Sequence, residues 1–147
     1  KDSNKAFEWA SKAAEAGDVL GQFLLGYAYH TGEGTEKDWA TAVKWYELAA
    51  ADGGPSPQPM ENMGEIYCRG GHGVAKNLDV AVFWFRKGWE EWESGCSASN
   101  LGDCYYIGLG VTKDLAAARS WYKKGAEKGD CHSTYRRGVM LFKGEGG

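Results

Sequence analysis

Side-chain spacings that could support catalysis are few in this chain of 147 residues. Ser120 and Lys123 are separated by two residues, the spacing in which a lysine amine can activate a serine hydroxyl for acyl transfer. The Ser-Asp-Asn and Lys-Thr-Gly sequences that accompany this pair in such enzymes are absent. We therefore interpret the Ser120 spacing as coincidental and predict no catalytic residue.

Cysteine and histidine side chains, common ligands of transition metals, are scattered along the sequence. They are Cys68, Cys96, Cys104, Cys131, His30, His72 and His132. None of them forms a Cys-x-x-Cys pair or a histidine pair one helical turn apart, and the cysteines do not recur at a fixed offset. We expect buried free thiols that pack as small hydrophobic groups, no disulfide ladder, no metal ion and no cofactor.

The charge and hydropathy of the chain exclude two classes of partner. A formal net charge of -3 and an isoelectric point near 5.6 argue against nucleic-acid binding, which usually relies on a positive surface. No apolar run approaches the roughly 18 residues that suggest a membrane-spanning helix, so we predict no direct membrane insertion. Because the sequence starts with Lys1, we expect it to be part of a longer protein.

The glycines follow a repeat that organises the entire sequence. A Gly-x(5)-Gly pattern occurs four times at intervals of 36 to 38 residues, at Gly26/Gly32, Gly64/Gly70, Gly102/Gly108 and Gly138/Gly144. An Asp or Asn stands seven residues before a tryptophan in each copy, as Asp2/Trp9, Asp38/Trp45, Asn77/Trp84 and Asp114/Trp121. The regular spacing predicts repeated structural units.

One half of each unit predicts a helix that we name helix B. An alanine, a tryptophan and a small residue recur at i, i+3 and i+7, as in Ala42, Trp45 and Ala49, and these positions share one helical face. The preceding Asp or Asn is a favourable N-cap. Each helix B is expected to end near a glycine that can adopt a left-handed conformation, at Gly17, Gly53, Gly95 or Gly129.

The other half of each unit predicts a second helix, helix A. Small, aliphatic and tyrosine positions recur at offsets of 0, +4 and +8, as in Gly21, Leu25 and Tyr29. Gly26, Gly64, Gly102 and Gly138 lie within helix A, where glycine costs roughly 1 kcal/mol relative to alanine. We expect each of these glycines to permit close packing of a neighbouring helix.

The order of the two helix types predicts about eight helices in a single array over residues 1–147. The units are approximately 1–18 (helix B only), 19–54, 55–95, 96–130 and 131–147 (helix A only). Stacked helix pairs bury a face that no single pair can bury alone.

Residues 101–111, LGDCYYIGLGV, and residues 121–130, WYKKGAEKGD, resemble the Sel1-like repeat, a relative of the tetratricopeptide repeat. The resemblance covers essentially the whole chain. It implies an all-α, right-handed α-solenoid of stacked antiparallel helix pairs. It also implies a non-enzymatic scaffold or adaptor role in protein complexes, an inference by analogy of fold.

By similarity to tetratricopeptide arrays, helix A would line a concave groove in which exposed positions determine specificity. The groove positions outside the packing columns are Tyr27, His30, Glu61, Glu65, Arg69, Asp103 and Tyr106. Tyrosine and arginine are enriched at interaction hot spots. We therefore predict that these residues bind a protein or peptide partner, with ordinary solvated helix positions as the alternative.

The third helix B departs from the repeat. Trp89 replaces an alanine found at Ala14, Ala50 and Ala126, and the helix runs about three residues longer, through Trp92. Trp89 and Trp92 are predicted to form an accessory contact with a ligand. A local packing adjustment is the alternative.

Two further functions stay open at this point. Some cysteine-rich bacterial proteins with Sel1-like repeats are described as penicillin binders, so a cell-wall or β-lactam-binding enzyme or receptor is one alternative, and an inert spacer is the other.

Apolar residues at the two ends also predict self-association, namely Phe7, Trp9, Tyr135, Val139 and Phe142.

Overall fold

The computed structural model describes residues 2–51, 54 and 56–147, and within these ranges the chain forms eight α-helices and no β-strand. The helices are α1 Ser3–Glu15, α2 Val19–Thr31, α3 Trp39–Ala50, α4 Gln58–Arg69, α5 Leu78–Trp92, α6 Gly95–Ile107, α7 Leu115–Glu127 and α8 Cys131–Lys143. The odd-numbered helices are the predicted B helices, and the even-numbered helices are the predicted A helices. The predicted unit boundaries at Lys1 and Pro55, and the predicted helix end at Gly53, lie outside the described residues.

The N-caps of the B helices are confirmed. The side chains of Asp2, Asp38, Asn77 and Asp114 each accept a hydrogen bond from the backbone N–H three residues later. The donor–acceptor distance is 2.9 Å at Asp114 and 3.1 Å at Asp38. These bonds satisfy N–H groups that have no partner within the helix, which fixes where each helix B begins.

The glycine ends of the B helices are confirmed at two places and wrong at a third. Gly17 and Gly129 follow α1 and α7 with φ angles of +83° and +84°. Gly95, in contrast, is the first residue of α6, and the left-handed residue after α5 is Glu93, with φ of +48°. Ser94 caps α6, so the chain turns two residues earlier than the glycine suggested.

The N-terminal half of the chain, up to Lys76, contains α1 to α4. Here α2 packs against both α1 and α3, and α4 packs against α3. Tyr46, Met60 and Met63 are fully buried in its core. A Cβ atom on Gly26 would lie 2.8 Å from the Tyr46 ring, so close packing against this glycine is confirmed.

The C-terminal half, from Asn77, contains α5 to α8. Here α6 packs against α5, α7 and α8, and α7 also packs against α8. A Cβ atom on Gly102 would lie 2.5 Å from the ring of buried Tyr122. At Gly138 the same prediction is wrong, because an added Cβ would meet nothing within 4 Å. The glycine face of α8 is open to solvent.

No described helix has both the length and the apolar character needed to cross a bilayer.

Candidate functional site

The hydroxyl group of Tyr46 joins two A helices in the N-terminal half. The hydroxyl lies 3.3 Å from Nδ1 of His30 in α2 and accepts a hydrogen bond of 3.1 Å from Nδ2 of Asn62 in α4. Tyr46 itself comes from α3, and its ring occupies the space above Gly26. The missing glycine side chain thus allows one tyrosine to fix polar groups on two neighbouring helices.

His30 is held in place by several aromatic side chains. Nε1 of Trp39 donates to the backbone oxygen of His30 at 3.0 Å, and the two rings meet edge to face with centroids 5.6 Å apart. Burial lowers the pKa of His30, the negative charge of Glu65 opposes this shift, and the positive charge of Arg69 adds to it. His30 is therefore neutral at pH 7 and can donate or accept a hydrogen bond.

Exposed charged and aromatic groups surround this network. Nη1 of Arg69 donates to Oε1 of Glu65 at 2.9 Å, and both side chains are at least half exposed. Tyr27 is 42% exposed. Burial raises the pKa of Tyr46, and the nearby Tyr27 and Glu65 raise it further. The structure thus brings Tyr27, His30, Glu65 and Arg69 together, and it places Glu61, partly buried, in the first turn of α4.

A second network surrounds Tyr122 in the C-terminal half. The Tyr122 hydroxyl donates to Oδ1 of Asp103 at 2.5 Å and accepts from Nε of Arg136 at 3.2 Å. Nε of Arg136 also lies 3.6 Å from Oδ1 of Asp103. Burial raises the pKa of Tyr122, and its hydrogen bond to the Asp103 carboxylate acts in the same direction. Tyr122 is therefore a neutral link between α6 and α8.

The guanidinium of Arg136 also covers the ring of Tyr106. Its Cζ atom lies 4.4 Å from the ring centroid, a distance typical of cation–π contacts. The Tyr106 hydroxyl donates to Oε2 of Glu145 at 3.1 Å. On the other side of Asp103, Nδ1 of His132 is 3.9 Å from the carboxylate. Asp103 and Tyr106, both predicted from the sequence, therefore belong to one cluster.

Sequence reasoning missed four members of these networks: Tyr46, Asn62, Tyr122 and Arg136. Asn62 and Arg136 occupy the same position of the repeat, two residues before Gly64 and Gly138. Tyr46 and Tyr122 likewise share the position that follows the repeated tryptophan. Aligning polar residues at equivalent positions would have revealed the shared link between A helices.

The structure places Trp89 of α5 in contact with side chains of α7. Its ring meets Trp121 edge to face at 5.7 Å, and the ammonium of Lys124 lies 5.5 Å from the Trp89 centroid and 4.1 Å from that of Trp121. Trp92 is 38% exposed. A ligand that contacts Trp89 would compete with this internal packing, whereas the exposed part of the Trp92 ring is accessible to a ligand.

The surroundings of Ser120 do not resemble those of an activated nucleophile. Ser120 is exposed, and Nζ of Lys123 lies 3.9 Å from Oε1 of Glu127 with both side chains 59% exposed. A serine nucleophile needs a base positioned beside it, whereas the Lys123 ammonium lies beside the Glu127 carboxylate.

The predicted burial of the cysteines holds for Cys104 and is wrong for Cys96 and Cys131, which are exposed; Cys68 is intermediate. The two exposed thiols lie in the first turns of α6 and α8, whose buried faces begin further along each helix. All four cysteines are free of disulfides. Among the described residues, no group of three His, Cys, Asp or Glu side chains could hold a metal ion.

The repeated helix pairs match a known family. A model of the Sel1 repeat matches residues 1–18, 19–54, 60–88 and 97–130, which together exceed half of the chain. The chain belongs to the Sel1 repeat family. One curated relative of this Sel1 repeat chain is the chitin synthase regulator SKT5 of Saccharomyces cerevisiae, 50% identical over 52 residues, which are 35% of this chain and 8% of the relative.

Two solved structures share the fold of the Sel1 repeat chain. The first is c5321, described as a protective antigen present in uropathogenic Escherichia coli strains and displaying an SLR fold. It matches with a TM-score of 0.87 and 39% identity, over 99% of this chain and 30% of that one. The second is a Sel1 repeat protein from Oxalobacter formigenes, with a TM-score of 0.83 and 34% identity over 97% of this chain and 57% of that one.

These matches confirm the predicted fold class, an all-α solenoid of Sel1-like helix pairs. The chain spans less than two thirds of the length of each relative described above. Membership of this family is consistent with a role in protein interaction.

Proposed function

We propose that this chain is a non-enzymatic scaffold that binds a protein segment through the exposed faces of its A helices. The observation that carries the proposal is the pair of networks centred on the Tyr46 and Tyr122 hydroxyls. Each network places fixed polar groups next to partly exposed aromatic and charged side chains. Such a combination suits the recognition of a polypeptide.

The hydrogen bonds of each network reduce the cost of binding. A side chain that is free in solution loses about 0.5–1.5 kcal/mol of conformational entropy when a partner immobilises it. His30 and Asn62 are restrained by Tyr46, and Asp103 and Arg136 are restrained by Tyr122. Their donors and acceptors are therefore oriented before a partner arrives.

The charges on these faces favour a polypeptide over a polyanion. In the N-terminal half the exposed carboxylate of Glu65 lies beside the guanidinium of Arg69. In the C-terminal half Asp103 lies beside Arg136. Each face presents both signs at short range, which matches the mixed donors, acceptors and charges of a protein segment. The regulator name borne by the yeast relative is consistent with a chain that acts on other proteins.

The test begins with capture of partners from a matched cell extract on the immobilised chain. A captured protein is then divided into overlapping peptides, and peptide affinity is measured by fluorescence anisotropy. The triple variant Tyr27→Ala/Glu65→Ala/Tyr106→Ala should weaken peptide binding by roughly tenfold or more, because the proposal assigns a contact with the segment to each of these side chains.

The matched control changes three exposed residues of the B helices, Leu48→Ala/Phe83→Ala/Glu90→Ala. This control should bind the peptide with unchanged affinity. A peptide that keeps its affinity for the A-helix variant but loses it for the control would contradict the proposal. In a separate experiment, a fluorescent penicillin should leave the chain unlabelled, and acylation at Ser120 would contradict the non-enzymatic role.

A further inference from the structure

The hydrogen-bond network of the N-terminal half fixes the direction in which the Tyr46 hydroxyl donates. Tyr46 is fully buried, so its O–H group cannot donate to solvent and needs an acceptor within the protein. Its partners in the network are Nδ2 of Asn62 at 3.1 Å and Nδ1 of His30 at 3.3 Å. The amide nitrogen of Asn62 can only donate, so Nδ1 of His30 is the acceptor.

This arrangement selects one of the two neutral forms of His30. A neutral imidazole carries its hydrogen on one ring nitrogen, and a bond accepted by Nδ1 leaves that hydrogen on Nε2. Burial lowers the pKa of His30, which keeps the ring neutral at pH 7. His30 therefore presents an Nε2–H donor whose identity is set by Tyr46.

The Nε2 atom of His30 is available to a ligand. Among the described residues none bonds to Nε2, and the buried side-chain atoms that lack a partner there are Oε1 of Gln22 and Oγ of Ser133. Nε2 therefore reaches solvent. The ring is held in this orientation because it meets Trp39 and Tyr46 edge to face at 5.6 Å and 6.1 Å. The network joins α2, α3 and α4 and involves neither the first nor the last helix.

The donor on His30 favours a neutral oxygen over a charged one. A neutral imidazole does not offset the cost of removing a carboxylate from water, whereas the carbonyl oxygen of a peptide bond is desolvated at much lower cost. Among the neighbouring charges Glu65 affects the pKa of His30 most, and the guanidinium of Arg69 is already paired with Glu65 at 2.9 Å. A carboxylate on the partner would therefore be repelled by Glu65.

At the equivalent position of the C-terminal half the donor is already used. The repeat aligns His30 with Tyr106, because each lies four residues after the glycine within its helix A. The Tyr106 hydroxyl donates to Oε2 of Glu145 at 3.1 Å. A free neutral donor therefore distinguishes the network around Tyr46 from the network around Tyr122.

We propose that His30 is a specificity-determining residue whose Nε2–H group donates a hydrogen bond to a backbone carbonyl of the bound polypeptide. Tyr46 is the positioning residue, because its hydroxyl keeps the hydrogen of His30 on Nε2. This role rests on the proposed function, because the segment bound by the A helices supplies the carbonyl. A contact with the peptide backbone tolerates any side chain at that position of the segment.

Nuclear magnetic resonance tests the position of the hydrogen without any ligand. In the chain labelled with nitrogen-15 at histidine, long-range proton–nitrogen correlations at neutral pH distinguish a protonated ring nitrogen from an unprotonated one. His30 should show the Nε2–H form, with its signals assigned by their loss in His30→Gln. Tyr46→Phe, checked for folding by circular dichroism, should shift the ratio of the two forms toward that of the exposed His72. An Nδ1–H form at His30 would overturn the inference, because Tyr46 would then donate to Oδ1 of Asn62.

Peptide affinity tests the contact itself, with the peptide identified by capture under the proposed function. His30→Asn ends the side chain before the Nε2 position and should weaken binding about fivefold, which corresponds to a neutral hydrogen bond of roughly 1 kcal/mol. His30→Gln places an amide N–H near the Nε2 position and should retain most of the affinity. The matched control is His72→Asn, at an exposed histidine in the same half, and it should bind like the wild type.

Replacing single carbonyl oxygens of the peptide by sulfur locates the acceptor. Sulfur accepts a hydrogen bond more weakly than oxygen, so one such replacement should weaken binding to the wild type and have little further effect on binding to His30→Asn. Coupling of His30 to an Asp or Glu side chain of the peptide would overturn the choice of a neutral acceptor. Equal affinity of the wild type and His30→Asn would overturn the role of His30 alone. Absence of any bound peptide, with His30 in the Nε2–H form, would overturn the proposed function and this contact with it.

Discussion

Alanine substitution at two equivalent glycines should change stability in opposite directions. Gly102 and Gly138 occupy the same position of helix A. At Gly102 the new Cβ would lie 2.5 Å and 2.6 Å from Cε1 and Cδ1 of Tyr122. The Tyr122 ring is fully buried, and its hydroxyl is bound to Asp103. The ring therefore has little room to move away.

The magnitudes follow from two opposing terms. Alanine in place of a helical glycine raises the free energy of unfolding by about 1 kcal/mol, mainly because it restricts the conformations of the unfolded chain. Overpacking a buried site costs typically 1–3 kcal/mol, and a contact this short belongs at about 3 kcal/mol. Gly102→Ala should therefore lower the free energy of unfolding by about 2 kcal/mol. Gly138→Ala meets no atom and should raise it by roughly 0.5–1 kcal/mol.

Urea denaturation followed by circular dichroism measures both changes. In thermal scans Gly102→Ala should lower the midpoint by about 4–8 °C, and Gly138→Ala should raise it slightly. In a Tyr122→Ala background, Gly102→Ala should no longer destabilise the fold. The reasoning would be refuted if both glycines responded with the same sign, or if removing the Tyr122 ring did not relieve the effect.

Three further outcomes are expected. In urea denaturation, Tyr122→Phe should lower the free energy of unfolding by about 2 kcal/mol and Tyr46→Phe by about 1 kcal/mol. The reason is that only the Tyr122 hydroxyl bonds to charged partners. Equal losses of stability would contradict this reasoning. The pKa of His30 is lowered by burial, so the unfolded state takes up the proton first, and the free energy of unfolding should fall as the pH drops below about 6.5. His30→Asn should reduce that dependence, measured between pH 7 and pH 5, and an unchanged slope would count against it. Glu93→Gly should raise the thermal midpoint, because glycine adopts the left-handed conformation of this position without steric strain. This gain should exceed the loss of the exposed ion pair with Lys128. A lower midpoint would show that the ion pair contributes more than the backbone strain costs.

The helices could be predicted because the repeat states each local rule several times. Asp38 and Asp114 stand at equivalent N-caps, and Gly26 and Gly102 both face a tyrosine ring. The predictions fail where a residue has the spacing of the repeat but different neighbours. Gly138 lies at the same repeat position as Gly102, but no helix among the described residues packs against it, so its predicted close contact is absent.

The candidate site was predicted only in part, because hydrogen bonds between helices depend on distances that spacing along the chain does not contain. Tyr106 was chosen as an exposed groove residue, yet its ring lies under Arg136, 30 positions later in the sequence. The end of α5 shows a similar limit. The sequence predicts that Gly95 ends this helix, but Glu93 adopts the left-handed conformation there. A left-handed backbone favours glycine without requiring it.

The edge-to-face contact of Trp89 with Trp121 gives the C-terminal half an optical signature of its own. Two indole rings 5.7 Å apart are close enough for their transition dipoles to couple, and we expect a paired positive and negative band in the ultraviolet circular dichroism spectrum. The coupling decays steeply with separation, so the band reports the approach of α5 to α7 without any added dye. Loss of this band before the loss of the helical signal would reveal that the two helices separate while each is still wound.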